Sequence, residues 1–191
     1  QDVANRQTVI ADSHLALDSL SAYFAKLRDL TFSRATEIPL NLSSFSLRDL
    51  LNICIGKLNP SNNKKVVVNL HPDTDITITA DKIHLINIID NLLENAVKYS
   101  REDVHIEIDY QEQDNDSIRI SVKDNGLGIS KSDSRHIFEK FYRSRAVIDK
   151  GIPGMGLGLT YVRMLVEAHR GTIRIESEQT SGSTFIIELP Q

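Results

Sequence analysis

Three asparagines, Asn87, Asn91 and Asn95, stand at successive i, i+4 steps in the stretch "DKIHLINIIDNLLENAVKYS", residues 81–100. Lys98 continues the same stripe, Glu94 and His84 lie along it, and Tyr99 sits at its edge. Asparagine is only a moderate helix former, because its side chain competes for the backbone. An amide oxygen is a neutral, hard ligand that suits Mg²⁺ and adds no charge that would repel a phosphate. Lys98 supplies a counter-charge. Two readings stay open for this stripe: a solvated helix face and a ligand face.

Two glycine-rich stretches accompany it. "GIPGMGLGLT", residues 151–160, holds Gly151, Gly154, Gly156 and Gly158, and "YVRMLVEAH" continues as an amphipathic helix. The first N–H groups of a helix have no internal partner, and the dipole is positive there. Glycine lets backbone approach a ligand closely. Together they suit an anion, with a plain surface loop as the other reading. In "DNGLGIS", residues 124–130, Asp124 closes a strand before Gly126 and Gly128 turn the chain. A partly desolvated carboxylate there suits the exocyclic amine of adenine. The residues after it do not alternate, which argues against a simple hairpin turn. Six of the nine glycines fall between 126 and 158 and bracket "IFEKFYRSRAVIDKGIP". That segment reads as a basic lid, fixed by Phe138, Phe141 and Tyr142 and carrying Arg143, Arg145 and Lys150.

The elements that must position these residues are set by patterning. Residues 13–34 space Leu20, Phe24, Leu27 and Leu30 along one helical face, and a boundary falls near residue 37, where Pro39 and the serines of "NLSSFS" break the pattern. Residues 46–58 read as a helix capped by Ser46. "KVVVNL" and "ITIT" read as strands joined through the turn "HPDTD". The helix 81–98 starts at Asp81 and turns Leu85, Ile86, Ile89, Leu92, Leu93, Ala96 and Val97 to one side. "VHIEIDYQ" and "SIRISVKDN" form a hairpin, as do "GTIRIESE" and "STFIIELP". The helix after Gly158 ends with Gly171 as its left-handed terminator. The fold class is α+β: a two-layer sandwich of a mixed, mostly antiparallel sheet with helices on one face, preceded by a single long helix.

Composition narrows the function. The net charge of −4 argues against a nucleic-acid partner. The lone Cys54 excludes an internal disulfide and a cysteine zinc site, and reads as core filler. No apolar run reaches the ~20 residues of a membrane span, so no membrane contact is expected of residues 1–191.

In order, "NLLENAVKYS", "DNGLGIS", "IFEKFYR" and "GMGLGL" resemble the N box, first glycine box, F box and second glycine box of sensor histidine kinases. That ATP-binding domain belongs with gyrase, heat-shock chaperone and mismatch-repair ATPases, and the resemblance covers about residues 46–190. It implies ATP and Mg²⁺ as ligands. Asn95 then coordinates the metal, Asn91 supports the phosphate side, Lys98 contacts phosphate and Tyr99 stacks near the adenine. Asp124 holds the adenine amine, in a pocket shaped by Gly126 and Gly128. Gly154, Gly156 and Gly158, with Leu157 between the last two, cradle the phosphates, and Arg143 reaches the γ-phosphate. Hydrolytic relatives place a glutamate base where Asn91 stands, which implies transfer to a protein acceptor over hydrolysis, with Glu94 a weaker base. Residues 1–36 resemble the second helix of a dimerisation and phosphoacceptor hairpin, and residues 37–191 the catalytic domain. None of the six histidines shows the acceptor motif. The resemblance therefore implies an upstream acceptor helix, a response-regulator receiver domain as partner, and a homodimeric parent. It also implies a cytoplasmic domain of a parent anchored in the bacterial inner membrane. An anti-sigma-type serine kinase and a non-catalytic nucleotide-sensing docking module are the alternatives.

Overall fold

The computed structural model describes residues 38–58, 64–100, 103–114 and 116–191. The chain divides into two units, Gln1–Ile38 and Pro39–Gln191, and every element described lies in the second. The helix expected over 13–34 lies outside the described residues. In chain order come β1 (Leu42–Ser46), α1 (Leu47–Gly56), β2 (Lys65–His71), β3 (Thr77–Asp81) and α2 (Lys82–Tyr99). Next are β4 (Asp103–Gln113), β5 (Ser117–Asp124), the short α3 (Arg145–Asp149), α4 (Gly158–Ala168), β6 (Thr172–Glu178) and β7 (Gly182–Pro190).

A five-stranded sheet has the order β2-β4-β5-β7-β6, antiparallel except for the parallel pair β2-β4. Its strands carry the alternation that one buried face demands. In β4, Val104, Ile106, Ile108 and Tyr110 are buried, while His105, Glu107 and Asp109 between them are exposed. The helices pack on the apolar side. The other two strands, β1 and β3, form a separate antiparallel pair. One local expectation is corrected here. "NLSSFS" does not merely break the pattern: it supplies β1, whose Phe45 pairs with Ile78. The strands β2 and β3, though joined by "HPDTD", are not sheet neighbours. Buried Tyr110 fastens that connection by donating its hydroxyl to Thr74 O at 2.6 Å.

The helix α2 lies in the middle, packed against both α1 and α4. It is therefore apolar on more than one side. Ile88, left out of the arc inferred from sequence, is fully buried. Its ends are tied down by polar groups. Asp81 caps the N-terminus by accepting from His84 N at 3.0 Å, and its second oxygen accepts from Asn41 N at 2.8 Å. At the C-terminus, Lys64 Nζ donates to Val97 O at 2.6 Å and to Ser100 O at 2.8 Å. A cation on the last carbonyls complements the dipole. Ser46 caps α1 as expected, accepting from Asp49 N at 3.0 Å. Cys54 is buried core, and burial, with a hydrogen bond to Asp90, pushes its thiol up to about 12.

The terminator of α4 differs from the one read in the sequence. Arg170, not Gly171, takes the left-handed conformation, with φ 58°. Arg170 N bonds Glu167 O and Gly171 N bonds Val166 O, both at 2.9 Å, which is a Schellman motif displaced by one residue. Gly171 is needed for space instead: a Cβ there would lie 2.5 Å from Glu188 O on β7.

Gly171→Ala is expected to destabilise the unit by about 1–3 kcal/mol, the usual range for overpacking, read by urea unfolding. Asp81 gives a pH signature. Burial alone would raise its carboxyl, but the amides of His84 and Asn41 outweigh that and hold it below its ordinary value. The stability it contributes is fully present above the unfolded value of about 3.9 and is lost as pH falls through the lower folded value. In acid titrations of stability, Asp81→Asn is expected to show a shallower loss across that window than the wild type.

Candidate functional site

The three sequence motifs converge along α2. Its polar stripe is met by the segment leading into α4, which runs antiparallel to it. Gly158, the first residue of α4, lies where a Cβ would be 3.2 Å from Asn91 Oδ1. Gly154, with φ 146°, lies where a Cβ would be 2.5 Å from Lys98 Nζ. The φ of Gly154 favours glycine, and at Gly158 a side chain would crowd the Asn91 amide. Asn91 is buried, its amide nitrogen donating to Asn87 O at 2.6 Å, so its side-chain oxygen is aimed at Gly158. Asn95 is half-buried one turn on, and Glu94 is exposed. Leu157 is the residue before α4, with its side chain buried in the core. No side chain caps α4 at this end. Its first N–H groups therefore have no side-chain acceptor.

Two cations face this end. Burial lowers the proton affinity of Lys98, the Arg143 guanidinium lowers it further, and Glu94 opposes both. A pair of like charges held together in this way attracts an anion between them. The Lys98 ammonium also lies 5.2 Å from the centre of the Tyr99 ring. Beside them opens a cavity of about 640 Å³, walled by Glu94 and Lys98, by Ile152 and Pro153 of the loop, and by Cys54 and Lys57 of the α1 end. Neither Asn95, Arg143 nor Asp124 is among its walls.

The second centre lies at the C-terminus of α2. Asp124 is nine-tenths buried at the end of β5, and burial raises its carboxyl against the lowering effect of the Gly126 and Ser183 amides. Its Oδ1 accepts from Gly126 N at 2.7 Å. Gly126 is pressed against the helix end: a Cβ there would meet Asp124 Oδ1 at 2.7 Å and Tyr99 O at 3.0 Å. Leu127 N bonds Tyr99 O at 3.1 Å, fastening the turn to α2. Ser100 Oγ is buried at the same junction and has no hydrogen-bond partner among the described residues. Gly128, with φ 64°, abuts Glu178 O.

Some site residues escaped the sequence reading. Gly182 looked like a plain turn glycine in "QTSG". It lies against Asp124 O, where no Cβ fits, and the adjacent Ser183 pairs with Asp124 across β5 and β7. Ser177 Oγ accepts from Ile129 N at 2.8 Å and donates to Gly182 O at 2.8 Å, locking the two turns together. Only the β5-β7 pairing brings these residues beside Asp124, and sequence gives no local signal for it.

The lid segment is tied at two rungs. Phe141 N donates to Gly156 O at 3.0 Å, and the Arg143 guanidinium donates to Ile152 O. Phe141 corrects an expectation: its backbone is the anchor, at φ 65°, while its ring is 65% exposed. Tyr142 does anchor the segment, donating its hydroxyl to Asp133 at 2.7 Å. The donor set fits a magnesium-bound nucleotide. Among the described residues no cluster of three His, Cys, Asp or Glu could hold a metal unaided. Half-buried Asn95 would offer Mg²⁺ one neutral amide oxygen, while Lys98 and Arg143 would favour the phosphates that bring the ion.

Comparison with known proteins agrees with this geometry. The family described as histidine kinase-, DNA gyrase B-, and HSP90-like ATPase matches residues 80–191. The sensor protein RprX of Bacteroides fragilis is 40% identical over 129 residues, 67% of this chain and 25% of RprX. The sensor histidine kinase GacS of Pseudomonas protegens is 31% identical over 178 residues, 90% of this chain and 19% of GacS. The chain spans about a quarter or less of the length of these two relatives. Full-length ShkA, solved in complex with AMPPNP, matches with a TM-score of 0.75 at 28% identity, over 91% of this chain and 36% of that one. The mycobacterial sensor histidine kinase MprB shares the fold with a TM-score of 0.66 at 24% identity, over 78% and 97% of the two chains. The matched stretch takes in α2, the Asp124 turn, the lid and the α4 loop, and this chain belongs to the histidine kinase-, DNA gyrase B-, and HSP90-like ATPase family.

Proposed function

We propose that this chain binds ATP with magnesium and presents the γ-phosphate to a histidine on a phosphoacceptor helix, as the catalytic part of a two-component sensor kinase. One observation carries the reading: the asparagine and lysine stripe of α2 lies against the glycine loop of α4, with Asp124 buried beside the C-terminal end of the same helix. Asp124 accepts from the adenine amine, and Gly126 and Gly128 give the base room beside Tyr99. Lys98, Arg143 and the uncapped start of α4 bind the phosphates, with Gly154 and Gly156 shaping the lid hinge. Asn95 holds the magnesium ion, which when bound neutralises charge on the phosphate oxygens. Phosphoryl transfer needs positioning and charge neutralisation more than covalent help, and the site supplies both.

The position of Asn91 favours transfer over hydrolysis. Its amide is spent on Asn87 O and it cannot take a proton from water, while Glu94, exposed one turn away, is a weaker base. The phosphohistidine then supplies an aspartate of a response-regulator receiver domain. On this reading residues 1–36 belong to the dimerisation hairpin, the parent protein is a dimer, and the unit works in the cytoplasm. No helix of the described residues is long and apolar enough to cross a membrane.

Calorimetric titration of the full chain is expected to show ATP binding that depends on Mg²⁺. Asn95→Ala should abolish Mg·ATP binding, whereas Asp124→Ala should weaken ATP and ADP alike by about tenfold or more, the scale of a lost hydrogen bond to a charged group. Equal ATP affinity in Asn95→Ala would refute the metal role. Incubated with Mg·ATP and a supplied histidine-bearing acceptor domain of a relative, the chain should yield an acid-labile phosphohistidine. Phosphoserine on a supplied protein, or nucleotide binding without any transfer, would reject the histidine-kinase reading.

A further inference from the structure

We propose that His169 is a positioning residue for the nucleotide site: acting through Asp81, it fixes the register of α4 along α2. The inference rests on the nucleotide-binding reading above. His169 comes just after the last turn of α4, nine-tenths buried, more than ten residues from the glycine loop. Both its ring nitrogens are engaged. Nε2 accepts from Asp81 N at 3.0 Å, and Nδ1 lies 2.8 Å from Leu165 O. An acceptor at Nε2 leaves the proton on Nδ1, which donates to the carbonyl, so one tautomer satisfies both contacts. The His84 ring stands edge-on to it at 6.2 Å.

Asp81 is the best-anchored residue at this end of α2. It caps the helix, takes the Asn41 amide and lies in β3. A bond from His169 to its backbone therefore ties α4 to the cap of α2 and to both strands of the small sheet. The antiparallel contact of the two helices then reads as three rungs. His169 meets Asp81 by a directed hydrogen bond, Gly158 meets Asn91, and Gly154 meets Lys98. The glycine rungs limit how close the backbones come but do little to stop sliding along the axis. A slip of one residue is about 1.5 Å, enough to move the loop off its partners. Misplacement on the order of 1 Å in a site costs about a hundredfold. The directed bond at the far end removes that freedom.

The test compares two isosteres in the full chain. In His169→Gln the amide oxygen can occupy the Nε2 position and still accept from Asp81 N. In His169→Asn the shorter side chain can serve Leu165 O but leaves the Asp81 amide unpaired. Affinity for Mg·ADP by calorimetry is expected within about threefold of wild type for Gln and weakened about tenfold or more for Asn. Amide hydrogen exchange across residues 154–158 of the nucleotide-free protein should quicken in Asn and not in Gln. Gln and Asn variants alike in both readouts would overturn the proposal. Nitrogen chemical shifts of His169 in the wild type provide a measurement that no folding defect can cloud: a proton on Nδ1 is expected, and one on Nε2 would overturn it. A wild type that ignores ADP would sink the nucleotide reading, while the exchange data would still decide whether His169 sets the register.

Discussion

The approach of the α4 loop to the polar stripe of α2 is the constraint on which the rest of the site depends. Backbone comes near a lysine ammonium at Gly154, whose φ of 146° favours glycine, and near an asparagine amide at Gly158, where a Cβ would lie 3.2 Å from Asn91 Oδ1. The nearness has an electrostatic result. Lys98 is half-buried beside a second cation, and the helix start opposite offers N–H groups that no side chain has capped. A polyanion satisfies all of them at once. Without one, the charges are held together by the packing of α2 between α1 and α4 rather than by each other.

The Asp124 side is built differently. Asp124 costs free energy to bury, as the upward push on its carboxyl records, and the Gly126 and Ser183 amides recover only part of that. Two turns that are far apart in the chain press against it: the Asp124–Gly128 turn itself and the β6-β7 turn, joined through Ser177. Neither turn has room for a side chain at its key glycine, Gly128 or Gly182. The carboxylate is thus set in backbone on two sides and in the end of α2 on a third. On the proposed reading, such a frame suits a planar base with a donor group.

Between these ends runs the lid, closed at its base by Phe141 and Gly156 and stiffened by Arg143. The exposed Phe141 ring shows that the aromatic cluster does not simply seal the core edge; the backbone of the segment does the anchoring. The positive φ of a bulky residue is strain that the surrounding contacts hold in place.

Much of this was legible in the chain itself, because the signals are local. Alternation gave the β4-β5 and β6-β7 hairpins, Ser46 and Asp81 announced two helices, and the spacing of Asn87, Asn91, Asn95 and Lys98 put them on one stripe. The order of four motifs identified the family. Tertiary structure alone decided everything that depends on contact between distant segments. The separation of β2 from β3, the strand hidden in "NLSSFS", and the burial of Ile88 are all set by the segments that lie beside them. So are the Lys64 cap on α2, the Gly182–Ser183 backing of Asp124, and the His169 bond to Asp81. Periodicity reports which side of an element is apolar; it carries no record of which other segment arrives there, and that choice is made by packing.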